Sequence, residues 1–181
     1  MQFRFHFEKA MQAAGVLLSL DGDRMESIRL LKLLYVADRE MLAEIGSPIT
    51  GDRAVAMKHG PVLVQVYDLI KGRDARAGEW SDAFRTSDHN IEMRKPIGRG
   101  KLNRDEVDKL REVTDRFRDH DAWEICDITH AFPEWRDTYE PDTARPISWA
   151  EALKAQGRAD QIPLAEREEA LRSYLDEVFG A

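Results

Sequence analysis

Hydrophobic positions recur along this chain mostly at helical spacing. Phe7, Met11, Ala14, Leu17 and Leu18 share one face of a helix predicted from about Phe7 to Ser19, which Asp21-Gly22 stops. The next apolar set is broader. Ile28, Leu31, Leu34, Tyr35, Met41, Leu42 and Ile45 form one face, and Leu30, Leu33 and Val36 widen it. A helix apolar around so much of its circumference is a buried one, so this is expected to be the central element. It should start with a capping box, Asp23 as N-cap and Glu26 three residues on, and run to about Glu44. Asp38 falls on its apolar side. A carboxylate there must be paired, hydrogen-bonded or shifted in pKa, and His59 and Arg53 are the candidate partners.

Ser47-Pro48 and Thr50-Gly51 mark a loop, and Ala54 to Lys58 reads as a short extended segment. Gly60-Pro61 looks like a tight helix start, because proline suits the first helical turn, where its missing amide hydrogen is not needed. That helix, Pro61 to Lys71, would bury Leu63, Val66, Tyr67 and Ile70 and stop at Gly72. Phe84 to Ser87 and Ile91 to Lys95 flank Asp88-His89-Asn90 as a hairpin. Asn103 with Glu106 caps a helix carrying Val107, Leu110, Val113 and Phe117. Asp121 with Glu124 caps another, through Ala131, ended by Pro133. Ser148 with Glu151 caps a short helix closed by Gly157. The last helix, Leu164 to Phe179, is expected to turn Leu171, Tyr174, Leu175 and Val178 inward. The pattern as a whole predicts a mainly α domain with a small antiparallel β-sheet (α+β), a compact helical domain spanning residues 1–181.

Charge narrows the partners. With 27 basic and 34 acidic side chains the net charge is −7, which disfavours general binding to a phosphate backbone. One local exception exists. Met93 to Arg104 carries Arg94, Lys95, Arg99, Lys101 and Arg104 with no acid among them, and Gly98 and Gly100 loosen its tip. It reads as a solvated loop, or as a contact surface for an acidic partner or for nucleic acid. The longest apolar stretches, Val16 to Leu20 and Leu33 to Ala37, are far short of a membrane span, and the N-terminus lacks the pattern of an export signal. A lone cysteine, Cys126, fits a reducing compartment, so a cytoplasmic location is expected. Trp80 and Trp149 are candidate exposed anchors for a partner.

Candidate chemistry is sparse. Cys126 and His130 are four apart on one predicted helix and could pair as thiolate and base, with His59 as a third member of a cysteine- or metal-dependent hydrolase. Yet Cys126 lies mid-helix, whereas nucleophilic cysteines usually sit at helix N-termini or in electropositive clefts, and it reads better as a small core thiol. His6, His59, His89, His120 and His130 show no close-set metal spacing. His59 and His130 are expected to be buried and hydrogen-bonded, the others exposed. Gly100-Lys101 is not a phosphate loop, since Leu102 stands where a hydroxyl residue is needed. Neither a catalytic residue, a metal nor a cofactor is called for.

One stretch is distinctive. Lys32 to Glu40 reads KLLYVADRE, and Gly46 to Gly72 reads GSPITGDRAVAMKHGPVLVQVYDLIKG, with a looser echo in DITHAFPEWRDTY from Asp127 to Tyr139. These segments resemble the Panacea domain family of SocA-like antitoxins and phage-associated proteins. The resemblance implies a mostly helical fold with a small sheet, and neutralisation of a co-encoded protein toxin, by direct binding or by delivery to a cytosolic protease. It brings no catalytic residues. Its motif positions here are Tyr35, Asp38, Arg53, His59, Gly60, Pro61, Tyr67, His130 and Trp135. They read as scaffold rather than as the partner surface, with Tyr35 and Asp38 pointing inward.

Overall fold

In the computed structural model, which describes residues 1–179, the broad apolar helix is the hub, as its pattern predicts. The chain runs through α1 (Phe7–Leu20), β1 (Arg24–Glu26), α2 (Ser27–Ile45), β2 (Ala54–Met57), β3 (Gly60–Leu63), α3 (Val64–Ile70), α4 (Ala77–Ala83) and β4 (Phe84–Ser87). It continues through β5 (Asn90–Met93), α5 (Arg104–Arg116), α6 (Ala122–His130), α7 (Pro133–Arg136), β6 (Arg145–Ile147), α8 (Trp149–Ala155), a 3-10 turn (Ala159–Gln161) and α9 (Ile162–Phe179). Helices α1, α5, α6 and α8 and strand β3 all pack on α2. Leu30, Leu33, Leu34, Tyr35, Val36, Ala37 and Leu42 are sealed from solvent around its whole girth. No described helix is long and apolar enough to cross a membrane.

The mainly α, α+β architecture holds, with two small antiparallel sheets in place of one. The first has order β1-β5-β4 and contains the predicted hairpin; the second has order β3-β2-β6. Strands β1 and β6 pair only with distant partners, Met25 opposite Ile91 and Val55 opposite Pro146, so local pattern does not announce them. The capping box at Asp23 does not form. Asp23 takes a left-handed backbone (φ 65), its N–H donates to the Leu18 carbonyl, and its own carbonyl accepts from Met93, which pulls Arg24–Glu26 into a strand. Helix α2 therefore begins at Ser27, and Glu26 makes no side-chain cap.

Pro61 is likewise not in a helix. It lies in β3 opposite Ala56, and β3 is an edge strand, where a residue without an N–H is tolerated. Pro133 begins α7 as well as ending α6, and Ser148 makes no side-chain cap on α8. The two other capping boxes, Asn103 with Glu106 and Asp121 with Glu124, are fully formed. Lys109 on α5 ties the surface of α2 by bonding Glu40 and Glu44, while Arg116 bonds Glu40 as well. Trp80 and Trp149 are core residues, at 1% and 3% exposure, so neither is an exposed anchor. Trp80 packs on Phe84, and Trp149 stacks on Tyr35 while its indole N–H donates to the Asp52 carbonyl. On α9 the expected inward residues Leu171, Tyr174, Leu175 and Val178 are exposed instead.

Candidate functional site

Five polar residues sit on the buried surface of α2: Arg29, which donates to the Phe117 and His120 carbonyls, and Lys32, Tyr35, Asp38 and Arg39. Each has found a different solution to burial. The Asp38 carboxylate accepts from the Thr50 N–H (2.9 Å) and from the Thr50 hydroxyl, so the loop Gly46 to Asp52 is stitched to the middle of the helix. Its partner is Thr50, and neither His59 nor Arg53 bonds it; both of those side chains are exposed. Burial pushes the Asp38 carboxyl up to about 7, against the two Thr50 bonds that favour its charge. A raised carboxyl keeps a proton that the unfolded chain, near pH 4, has lost. Its stabilisation is full below about pH 4 and is lost as pH rises through 7. Between pH 5 and 8 the wild type should therefore lose stability in urea melts relative to Asp38→Asn. Parallel pH curves for the two would contradict this.

Arg39 is held by Glu134 of α7, which is 2% exposed. Glu134 accepts from Arg39 Nε, from Nη2 at 3.2 Å and from the Tyr35 hydroxyl at 3.1 Å. The guanidinium also lies over the Phe132 ring, 4.2 Å from its centroid. This places the looser DITHAFPEWRDTY segment directly on the KLLYVADRE helix. Asp52, fully buried, does the equivalent for α3: its carboxylate accepts from the N–H groups of Arg53 (2.7 Å), Gln65 (3.1 Å) and Val66 (2.9 Å), two of them orphan donors of the helix start. Gly60 is required by crowding. With φ at +96, a Cβ there would stand 2.6 Å from Thr129 Oγ1 and 3.0 Å from Lys32 Nζ.

Lys32 is the exception among the five. It is completely buried, its ammonium donates to the Pro61 carbonyl (2.8 Å), and no carboxylate faces it among the described residues. It borders a cleft of about 490 Å³ between the start of α2, strand β3 and helix α3. Tyr67 and His59 line it too, and the edge of His59 meets Trp123, an indole 55% exposed on α6.

The proposed catalytic trio does not assemble there. His59 lines the cleft, whereas Cys126 and His130 do not. Cys126 is 1% exposed, and burial pushes its thiol up, the opposite of what a nucleophile requires. His130 is half-buried and stacks on Trp135 (4.2 Å), with burial holding its pKa down, and Trp135 in turn donates to the Met57 carbonyl. His59 is exposed rather than buried, and His6 and His120 are half-buried rather than exposed. Among the described residues no cluster of three His, Cys, Asp or Glu side chains stands close enough to hold a metal ion. Cys126→Ser is expected to keep biological activity, with a stability loss on the order of 1 kcal/mol from burying a more polar group. Lost activity with an unchanged melt would reopen the nucleophile.

The residues that carry these contacts, from Lys32 to Glu134, fall within residues 30–136, the span matched by the family model for antitoxin SocA-like, Panacea domain. The chain belongs to this SocA-like Panacea family. Searches of curated proteins and of solved structures find no match. In this Panacea domain most motif residues are at least partly buried: Tyr35, Asp38, Gly60, Pro61 and Trp135 are buried, Tyr67 and His130 are half-buried, and Arg53 and His59 are exposed. Lys32, Asp52 and Glu134, which no spacing in the sequence marks, are buried alongside them. The basic loop lies apart from the cleft. Arg94 donates to the Ser81 carbonyl, Lys101 pairs with Glu8 at 3.3 Å, and Arg99 borders a separate shallow hollow with Arg104 and Arg111.

Proposed function

We propose that this Panacea domain is a cytoplasmic antitoxin that neutralises a co-encoded protein toxin by binding it directly. The observation that carries the reading is the match of residues 30–136 to an antitoxin domain. The geometry supports it in a second way. The motif residues are largely consumed in holding α2, α3 and α7 together, which leaves recognition to exposed surfaces. Among the described residues, two such surfaces are the apolar side chains Leu171, Tyr174, Leu175 and Val178 of α9 and the basic loop with Arg94, Lys95, Arg99 and Lys101. Apolar side chains exposed together are the kind of surface that partners cover.

Co-expression with the product of the adjacent gene tests this. Growth should be rescued and the two proteins should co-purify. Leu171→Asp with Leu175→Asp should abolish both if α9 is the interface, and Arg94→Glu with Lys95→Glu and Arg99→Glu should weaken them if the basic loop is. Rescue that vanishes in cells lacking a cytosolic protease, with binding intact, would replace direct blocking with proteolytic delivery. Neither rescue nor co-purification, with soluble folded protein, would sink the antitoxin reading.

A further inference from the structure

The basic loop that follows β5 turns its apolar side chains inward and its charges outward. Ile97 lies half-buried against Gly15 of α1, Leu102 is buried, and the Lys101 N–H donates to Gln12 Oε1 (2.7 Å), so the loop is fastened to the body. Its cations, Arg94, Lys95, Arg99, Lys101 and Arg104, are all exposed. Carboxylates answer two of them: Glu8 meets Lys101 at 3.3 Å and Asp108 meets Arg104 at 3.6 Å. Arg94 donates to the neutral Ser81 carbonyl, and among the described residues neither Lys95 nor Arg99 has an ion-pair partner. Arg94, Lys95 and Arg99 thus hold uncompensated positive charge on a chain whose net charge is −7. That net charge does not cancel them. At about 0.1 M salt the Debye length is near 10 Å, and exposed acids farther away than that are largely screened.

What the loop lacks decides the kind of partner. A protein interface is built around a desolvated apolar centre from which charges are depleted, and here the apolar side chains are spent on α1 and the core while the outer surface is cationic. No Phe, Tyr or Trp stands between Met93 and Arg104, so unstacked bases would find no platform. Gly98 and Gly100 stand in open space, which lets another backbone approach the tip closely. Beside it Arg99, Arg104 and Arg111 border a hollow of about 330 Å³, with Asp108 as the acid among them. We propose that this loop binds the phosphate backbone of duplex nucleic acid without reading its sequence, Arg94, Lys95 and Arg99 making the phosphate contacts. Guanidinium forks suit phosphate oxygens, and a duplex packs its charges twice as densely as a single strand. The activity goes beyond the antitoxin reading and does not depend on it, since it needs this chain alone.

Fluorescence anisotropy of the full chain with labelled duplex DNA of about 20 base pairs tests this, with Kd expected on the order of 10 μM at about 50 mM salt. Three phosphate contacts predict a slope of log K against log salt of about −3, so binding should weaken about 40-fold at about 200 mM. Two unrelated duplex sequences should bind alike, and a single strand of the same length more weakly. Arg94→Gln with Lys95→Gln and Arg99→Gln should weaken binding about 10-fold or more and flatten the salt slope, with an unchanged melt because all three side chains are exposed. Lys58→Gln with Lys71→Gln and Lys154→Gln makes the same change in net charge on exposed cations elsewhere and should bind like wild type. No binding at low salt, binding indifferent to salt, a tighter single strand, or equal losses in the two triple variants would each overturn the proposal. Absent duplex binding, together with loss of the adjacent gene's product by the loop variant alone, would assign the loop to an acidic protein instead.

Discussion

Glu134→Ala is expected to destabilise the protein by about 3 to 5 kcal/mol, among the largest effects of any single substitution here. The removed carboxylate neutralises Arg39 and accepts from Tyr35 in a site where Arg39 is 9% exposed. Without it the guanidinium is a buried cation with nothing opposite, and the Tyr35 hydroxyl loses its partner as well. Breaking such a pair on one side is far costlier than removing both charges. Arg39→Met combined with Glu134→Leu should therefore recover most of the loss, because similar volumes are refilled with apolar atoms. Urea denaturation of the two single variants and the double variant measures this. A double variant as unstable as Glu134→Ala would show that the charges do more than satisfy each other.

Asp52→Ala should cost on the order of 3 to 5 kcal/mol, since three backbone N–H groups lose an acceptor in a site closed to water. Two of those donors open α3, so the loss should localise: amide exchange should accelerate first at Gln65 and Val66. Asp52→Asn keeps one acceptor oxygen and should fall between wild type and the alanine variant. A melt within about 0.5 kcal/mol of wild type, the range of ordinary surface changes, would mean that water replaces the carboxylate and that the loop is not the clamp described.

Helical periodicity was enough to place α1, α2, α5 and α6, because each carries its own apolar stripe and three carry a stop or a capping box in adjacent residues. Strands β1 and β6 escaped because three-residue strands owe their existence to partners far along the chain. The start at Gly60-Pro61 was misread for a related reason: proline is equally at home in a helix's first turn and on an edge strand, and only the pairing of β3 with β2 decides. In the site, the burial of Asp38 followed from its place on α2, but its partner lay twelve residues away in a loop with several candidate donors. Lys32 and Arg39 could have been found by the same logic. A helix that is apolar on every side leaves no wet face for its charges. Glu134 could not, since α7 reaches α2 only through the folded chain. The exposed side of α9 inverted expectation because apolar spacing marks a face that something covers, and does not say whether that cover belongs to the same chain.

The most direct test of the central claim uses two purified proteins and nothing else. The product of the adjacent gene is assayed for its own toxic activity with increasing amounts of this Panacea domain. Inhibition should saturate at a fixed stoichiometry, with a stable complex by analytical ultracentrifugation that buries at least about 1,000 Å². An active toxin left uninhibited by excess folded protein, with no complex formed, would contradict direct neutralisation.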